Sequence, residues 1–94
     1  SAVDALVQRS RQGGVVVGSS KGMCRMKYLP TNADILPGDQ VVSSGLGGLY
    51  PKGLPIGRVV EVKRKDQGFF KEAEISLNVD MNKLEEVFVV LEKE

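Results

Sequence analysis

Histidine is missing from the chain altogether, and cysteine occurs once, at position 24. Those two absences exclude much chemistry. A lone thiol closes no internal disulfide, and without histidine or a second soft ligand a zinc or iron–sulfur site has no support. The usual general base of a serine hydrolase is gone as well. Neither sign of charge dominates: 13 Lys and Arg face 12 Asp and Glu, a formal net charge of +1, so no global field points to nucleic acid or an anionic membrane. Apolar runs such as Val15-Val16-Val17 fall far short of a bilayer span. The chain opens at Ser1 with neither methionine nor a targeting segment, so it is expected to be a processed or excised piece whose anchor or partner domains lie elsewhere. One cysteine leaves the redox compartment open.

What is present is a small β pattern. Ninety-four residues suffice for one domain with one modest core. The segments 3–9, 14–19 and 23–29 read as three strands of a meander, joined by Ser10-Arg11-Gln12-Gly13, with its glycine expected at positive φ, and by Ser20-Lys21-Gly22. In the third, Cys24, Met26 and Tyr28 share one face and Arg25 and Lys27 the other, which makes Cys24 core. Pro37-Gly38 forms a turn that delivers Asp39 to a strand through Val42. The run 58–65 resumes the strand pattern with Val60 and Val62 in phase, and Asp66-Gln67-Gly68 turns the chain. Along 73–79, Ala73, Ile75, Leu77 and Val79 face one way. A short helical turn capped by Asp80, spanning Asp80 to Glu85, precedes an apolar last strand at 86–91 that is expected to be covered on both sides. The fold class is all-β: a six- to seven-stranded antiparallel barrel or sandwich with almost no helix.

The stretch 38–62 concentrates glycine and proline, and its chemistry is decided by context. A phosphate loop leads into a helix, whereas Gly45-Leu46-Gly47-Gly48 runs into Tyr50-Pro51-Lys52-Gly53-Leu54-Pro55, where no helix can start. A carboxylate-binding peptide module would place its G-L-G loop before the G-D strand and add a helix to wall the groove; neither holds. Ser43 and Ser44 have no base, and the pairs Glu72/Glu74 and Glu85/Glu86 read as solvated charges. Lys63-Arg64-Lys65 and Lys71 surround Phe69-Phe70, a pattern compatible with single-stranded nucleic acid; the simpler reading is a solvated strand end with one phenylalanine in the core. No enzyme, cofactor or metal is expected.

The run YLPTNADILPGDQVVSSGLGGLYPKGLPIGRVVEV, with VDALVQRS before it and VDMNKLEEVFVVL after it, resembles the MreC family of rod shape-determining proteins over essentially the whole chain. The resemblance implies a trypsin-like barrel without catalytic residues, the C-terminal β-domain of a longer protein with a membrane anchor, on the periplasmic or extracytoplasmic face of the bacterial cytoplasmic membrane. It further implies a non-catalytic scaffold for lateral peptidoglycan synthesis, with self-association into homo-oligomers, MreD and a class B penicillin-binding protein as partners, no nucleic acid, and membrane contact only through the anchor. The alternative is a generic small barrel that binds peptide or nucleic acid. In the signature loop, Gly45, Gly47, Gly48, Gly53 and Gly57 are expected at positive φ or where a side chain has no room, and Pro51 and Pro55 stiffen the connection. Leu46, Leu49, Tyr50, Leu54 and Ile56 either fold over the barrel mouth or form an apolar surface for a partner.

Overall fold

The computed structural model describes residues 2–77 of the 94. Six strands follow in order: β1 (Ala2–Val7), β2 (Gly13–Ser20), β3 (Met23–Pro30), β4 (Gln40–Ser43), β5 (Pro55–Lys65) and β6 (Phe70–Ser76). They close into a barrel in the order β1-β2-β3-β6-β5-β4, with every pairing antiparallel. Closure through β1 and β4 gives each of the six strands a hydrogen-bonded neighbour on either side. The expected all-β barrel is the observed one. The expected helical turn at 80–85, the strand at 86–91 and Val79 lie outside the described residues.

Alternation fills the interior. Val3, Ala5 and Val7 of β1, Cys24 and Met26 of β3, and Ala73 and Ile75 of β6 are all buried, as period-two strands around a barrel require. The ladders shift register at four places, two of which turn residues away from the face that simple alternation gives them. In β3 the pairing with β6 shifts between Met26 and Leu29. The extra residue of this bulge puts Tyr28 at φ 62 and 73% exposed, and Leu29 takes the inward place at 0%. Tyr28 therefore does not share the face of Cys24 and Met26. In β5 a second shift, between Val59 and Glu61, buries Val59 and leaves Val60 54% exposed, out of phase with the half-buried Val62. In the β1–β2 connection the positive φ sits at Arg11 (66°), not at Gly13, because Arg11 N–H turns back to the Val7 carbonyl at 2.8 Å.

The β3–β4 connection is held by charge and a turn. Leu36-Pro37-Gly38-Asp39 closes with Asp39 N–H donating to the Leu36 carbonyl at 3.1 Å and Gly38 at φ 93, the Pro-Gly order of a type II turn. The Arg9 guanidinium reaches across from the β1–β2 connection and donates to both oxygens of Asp39 (3.0 and 3.0 Å) and both of Asp34 (2.6 and 3.1 Å). Two bidentate pairs on one planar fork fix two loops relative to each other. Their hydrogen bonds to Arg9 hold both carboxyls below the usual aspartate value of 3.8.

Two predictions follow from packing and charge. A Cβ built on Gly57 meets the Ser76 carbonyl oxygen and lies 2.9 Å from Ile75 Cγ2, whereas one on Gly18 meets nothing within 4 Å. Gly57→Ala will cost about 3 kcal/mol, seen as a fall of more than about 10 °C in melting temperature, and Gly18→Ala less than about 0.5 kcal/mol; equal melting of the two variants would contradict this packing. For the clamp, folded-state carboxyl values below the unfolded one mean that its stabilisation is complete above about pH 4 and disappears as pH falls through the lowered values. Thermal melts from pH 6 to pH 2 will show an acid limb that is shallower in Arg9→Ala, which also melts lower at neutral pH.

Candidate functional site

The signature loop occupies residues 44–54 between β4 and β5, and one hydroxyl organises it. Ser43, the last residue of β4, is 1% exposed. Its Oγ donates to the Pro51 carbonyl at 2.6 Å and accepts from the Leu54 amide at 2.8 Å. Its main chain adds two bonds: Ser43 N–H to the Leu54 carbonyl at 2.9 Å, and Gly53 N–H to the Ser43 carbonyl at 2.8 Å. The near end is tied to β1, where Ser44 N–H donates to the Asp4 carbonyl at 2.9 Å. Ser44 Oγ accepts from the Leu46 amide at 3.1 Å, and Gly48 N–H closes a turn on the Gly45 carbonyl at 3.3 Å. A buried hydroxyl with both functions used is a structural fixture, and with its proton committed to a carbonyl Ser43 is no nucleophile.

The glycines serve the backbone in two ways. Gly45, Gly47, Gly48 and Gly53 lie at φ 80, 80, 70 and 85. At Gly45 a Cβ would also stand 3.0 Å from Lys52 Cβ, so that position needs both the left-handed angle and the missing side chain. Gly57 is different: it is buried in β5 at ordinary φ and is required for close approach to β6. Pro51 supplies the carbonyl that Ser43 binds, and Pro55 opens β5 opposite Val42.

The apolar residues of the loop divide between core and surface. Ile56 is buried at 2%, Tyr50 packs against the core cluster and Leu54 is half-buried. Leu46 and Leu49 point to solvent at 70% and 68%. Leu46 also lines an open cleft of ≈380 Å³ with Leu6, Arg11, Val15, Tyr28 and Ser44. Two of the four non-glycine residues at positive φ among the described residues, Arg11 and Tyr28, thus stand at one apolar recess beside the loop. Strained backbone of this kind gathers at ligand-contacting positions. Sequence spacing gave no sign of Tyr28's place there, because the bulge that turns it outward changes no residue type.

The other candidates for chemistry are placed as follows. Glu72 and Glu74 flank Arg25, with Arg25 Nε 2.8 Å from Glu74 and 3.8 Å from Glu72, an ion-paired surface and no acid–base pair. Glu85 and Glu86 lie outside the described residues. Phe69 and Phe70 are 72% and 47% exposed, so neither enters the core; the turn before them carries both outward. Among the described residues no group of His, Cys, Asp or Glu could hold a metal ion.

A family profile described as "Rod shape-determining protein MreC, barrel core" matches residues 1–91. The chain belongs to the MreC family. The cell shape-determining protein MreC of Listeria monocytogenes is 34% identical over 91 residues, covering 94% of this chain and 31% of the relative. MreC of Geobacillus stearothermophilus is 32% identical over 85 residues, covering 86% and 29%. The chain thus spans less than a third of the curated MreC relatives it matches. The crystal structure of MreC from Pseudomonas aeruginosa superposes with a TM-score of 0.79 at 30% identity, over 86% of this chain and 53% of that one. MreC in its complex with penicillin-binding protein 2 from Helicobacter pylori shares the fold, with a TM-score of 0.68 at 24% identity over 84% of this chain and 48% of that one.

One prediction concerns the remaining nucleophile. Burial, and secondarily the charge of Glu74, push the Cys24 thiol up to about 12, so thiolate is negligible at neutral pH. Cys24 will stay unreactive toward a thiol-specific chromogenic disulfide in the native chain and react only on addition of denaturant; rapid native labelling would show that the β3 interior opens.

Proposed function

We propose that this barrel is a non-catalytic docking module of the bacterial cell-elongation machinery, in which Leu46 and Leu49, with the cleft beside Tyr28, seat an apolar segment of a class B penicillin-binding protein. The observation that carries the reading is the exposure of Leu46 and Leu49, 70% and 68%, on a loop whose backbone Ser43 locks. Leucines on a loop closed at its base bring less ordering cost to a complex than leucines on a free one, a property of interface anchors. The likeness in fold to the Helicobacter pylori MreC found in complex with penicillin-binding protein 2 supports the partner class, and the names of the curated relatives support a role in cell shape.

The same reading places the chain as the C-terminal β-domain of a membrane-anchored protein on the outer face of the cytoplasmic membrane, organising peptidoglycan synthesis. Self-association and contact with MreD belong to it as further partners. Among the described residues no helix is long and apolar enough to cross a membrane.

The test is a titration of the periplasmic part of penicillin-binding protein 2 with the chain and its Leu46→Ala and Leu49→Ala variants. Each substitution is expected to weaken binding by about tenfold or more, the effect of truncating an interface anchor, at an unchanged melting temperature. Equal affinity for all three proteins would remove the loop from the interface.

A further inference from the structure

The opposite end of β5 carries a second exposed feature, unlike the first in chemistry. The β5–β6 hairpin ends in KRKDQGFFK, residues 63–71, with four cations and one anion. Its turn holds Asp66, Gln67 and Gly68 at φ 52, 58 and 90, three left-handed residues in succession, two of them not glycine. L residues adopt that conformation at a cost. Its consequence is that Phe69 stands 72% exposed and Phe70 47%, although phenylalanine is ordinarily a core residue. In the ladder Arg64 lies directly opposite Lys71, and Lys65 opposite Phe70. Like charges across a pair repel, and a bridging anion relieves the repulsion. Of the four cations Lys63 alone meets an acid among the described residues, Glu61 at 3.8 Å.

We propose that this hairpin tip docks on an anionic phospholipid surface, with Phe69 and Phe70 entering the headgroup region and Arg64, Lys65 and Lys71 binding lipid phosphates. Phenylalanines flanked by Lys and Arg are the composition of segments that lie in a bilayer interface, where apolar burial and attraction to anionic lipid add. Shape favours lipid over single-stranded nucleic acid. A nucleic acid needs a basic groove that tracks its backbone beside a stacking platform, whereas here the aromatics sit at the end of a hairpin. The tip and the signature loop flank the two ends of the 11-residue β5, about 30 Å apart at about 3.3 Å per residue. A barrel bound to lipid through one end keeps the other free for a protein.

The experiment is co-sedimentation of the 94-residue chain with vesicles of phosphatidylglycerol and phosphatidylcholine, and with phosphatidylcholine alone, at low and high salt. Binding is expected on the anionic vesicles, about tenfold or more weaker on the neutral ones, and weakened by salt as charge attraction requires. Phe69→Ser/Phe70→Ser and, separately, Arg64→Gln/Lys71→Gln will each weaken it by about tenfold, with melting temperatures unchanged because none of the four residues belongs to the buried core. Failure to pellet with anionic vesicles, equal binding to both compositions, wild-type binding by both double variants, or displacement by a single-stranded oligonucleotide would overturn the proposal. None of these results bears on penicillin-binding protein affinity, which is read at the other end of the strand.

Discussion

The Ser43 hydroxyl donates 2.6 Å to the Pro51 carbonyl and accepts 2.8 Å from the Leu54 amide, and the arrangement of the exposed loop depends on it. With the two main-chain bonds of the same residue, it ties residues 8 and 11 positions downstream to the end of β4. The loop between contains four glycines at positive φ, which free chain would sample widely. Four hydrogen bonds at a buried point close the base of the loop and narrow that freedom. Ile56 and Tyr50 anchor the outgoing half in the core, so the exposed leucines stand on a fixed base. A flexible loop of the same composition would lose part of any contact energy to ordering.

Most of the barrel is legible in the sequence because period-two burial leaves a direct trace. Cys24 and Met26 in β3, and Ala73 and Ile75 in β6, alternate with charged neighbours and are buried as that pattern demands. Bulges leave no such trace. One added residue in β3 and one in β5 reverse the phase beyond them, and so Tyr28 and Val60 face outward where simple alternation turns them in. The glycines of the signature loop could be read as backbone positions, since little else explains four of them within nine residues from Gly45 to Gly53. Ser43 could not, because its role comes from two groups that only the folded loop brings to it. Phe69-Phe70 was opaque for a related reason: a doublet has no phase, and the left-handed turn before it decides which way each ring goes.

Charge in this chain acts locally, which a net value of +1 conceals. Arg9 gathers Asp34 and Asp39 at the β1–β2 and β3–β4 connections, and Arg25 gathers Glu72 and Glu74 on the outer face of β3 and β6. Each set holds two carboxylates to one arginine and so uses up its cation. The cations left over are therefore concentrated elsewhere, and the β5–β6 hairpin holds four of them within nine residues. Surface pairs contribute little stability each. Glu72, the acid opposite Lys63 in the ladder, has Arg25 within 3.8 Å.

β5 joins these features into one geometry. It is the longest of the six described strands, 11 residues, and the signature loop enters at Pro55 while the basic hairpin leaves at Lys65. Gly57 near its start allows β6 to press against it, since any side chain there would collide with the Ser76 carbonyl. The bulge past Val59 then adds twist, and with it reorientation of the distal half, to a strand paired with β4 along Pro55–Arg58 and with β6 from Arg58 onward. Short strands suffice to close the barrel, as the four residues of β4 show. The additional length of β5 and its hairpin is thus not needed for closure. It serves to carry the cations and the two phenylalanines away from the loop, so that the two exposed surfaces of the module differ in position as they do in chemistry.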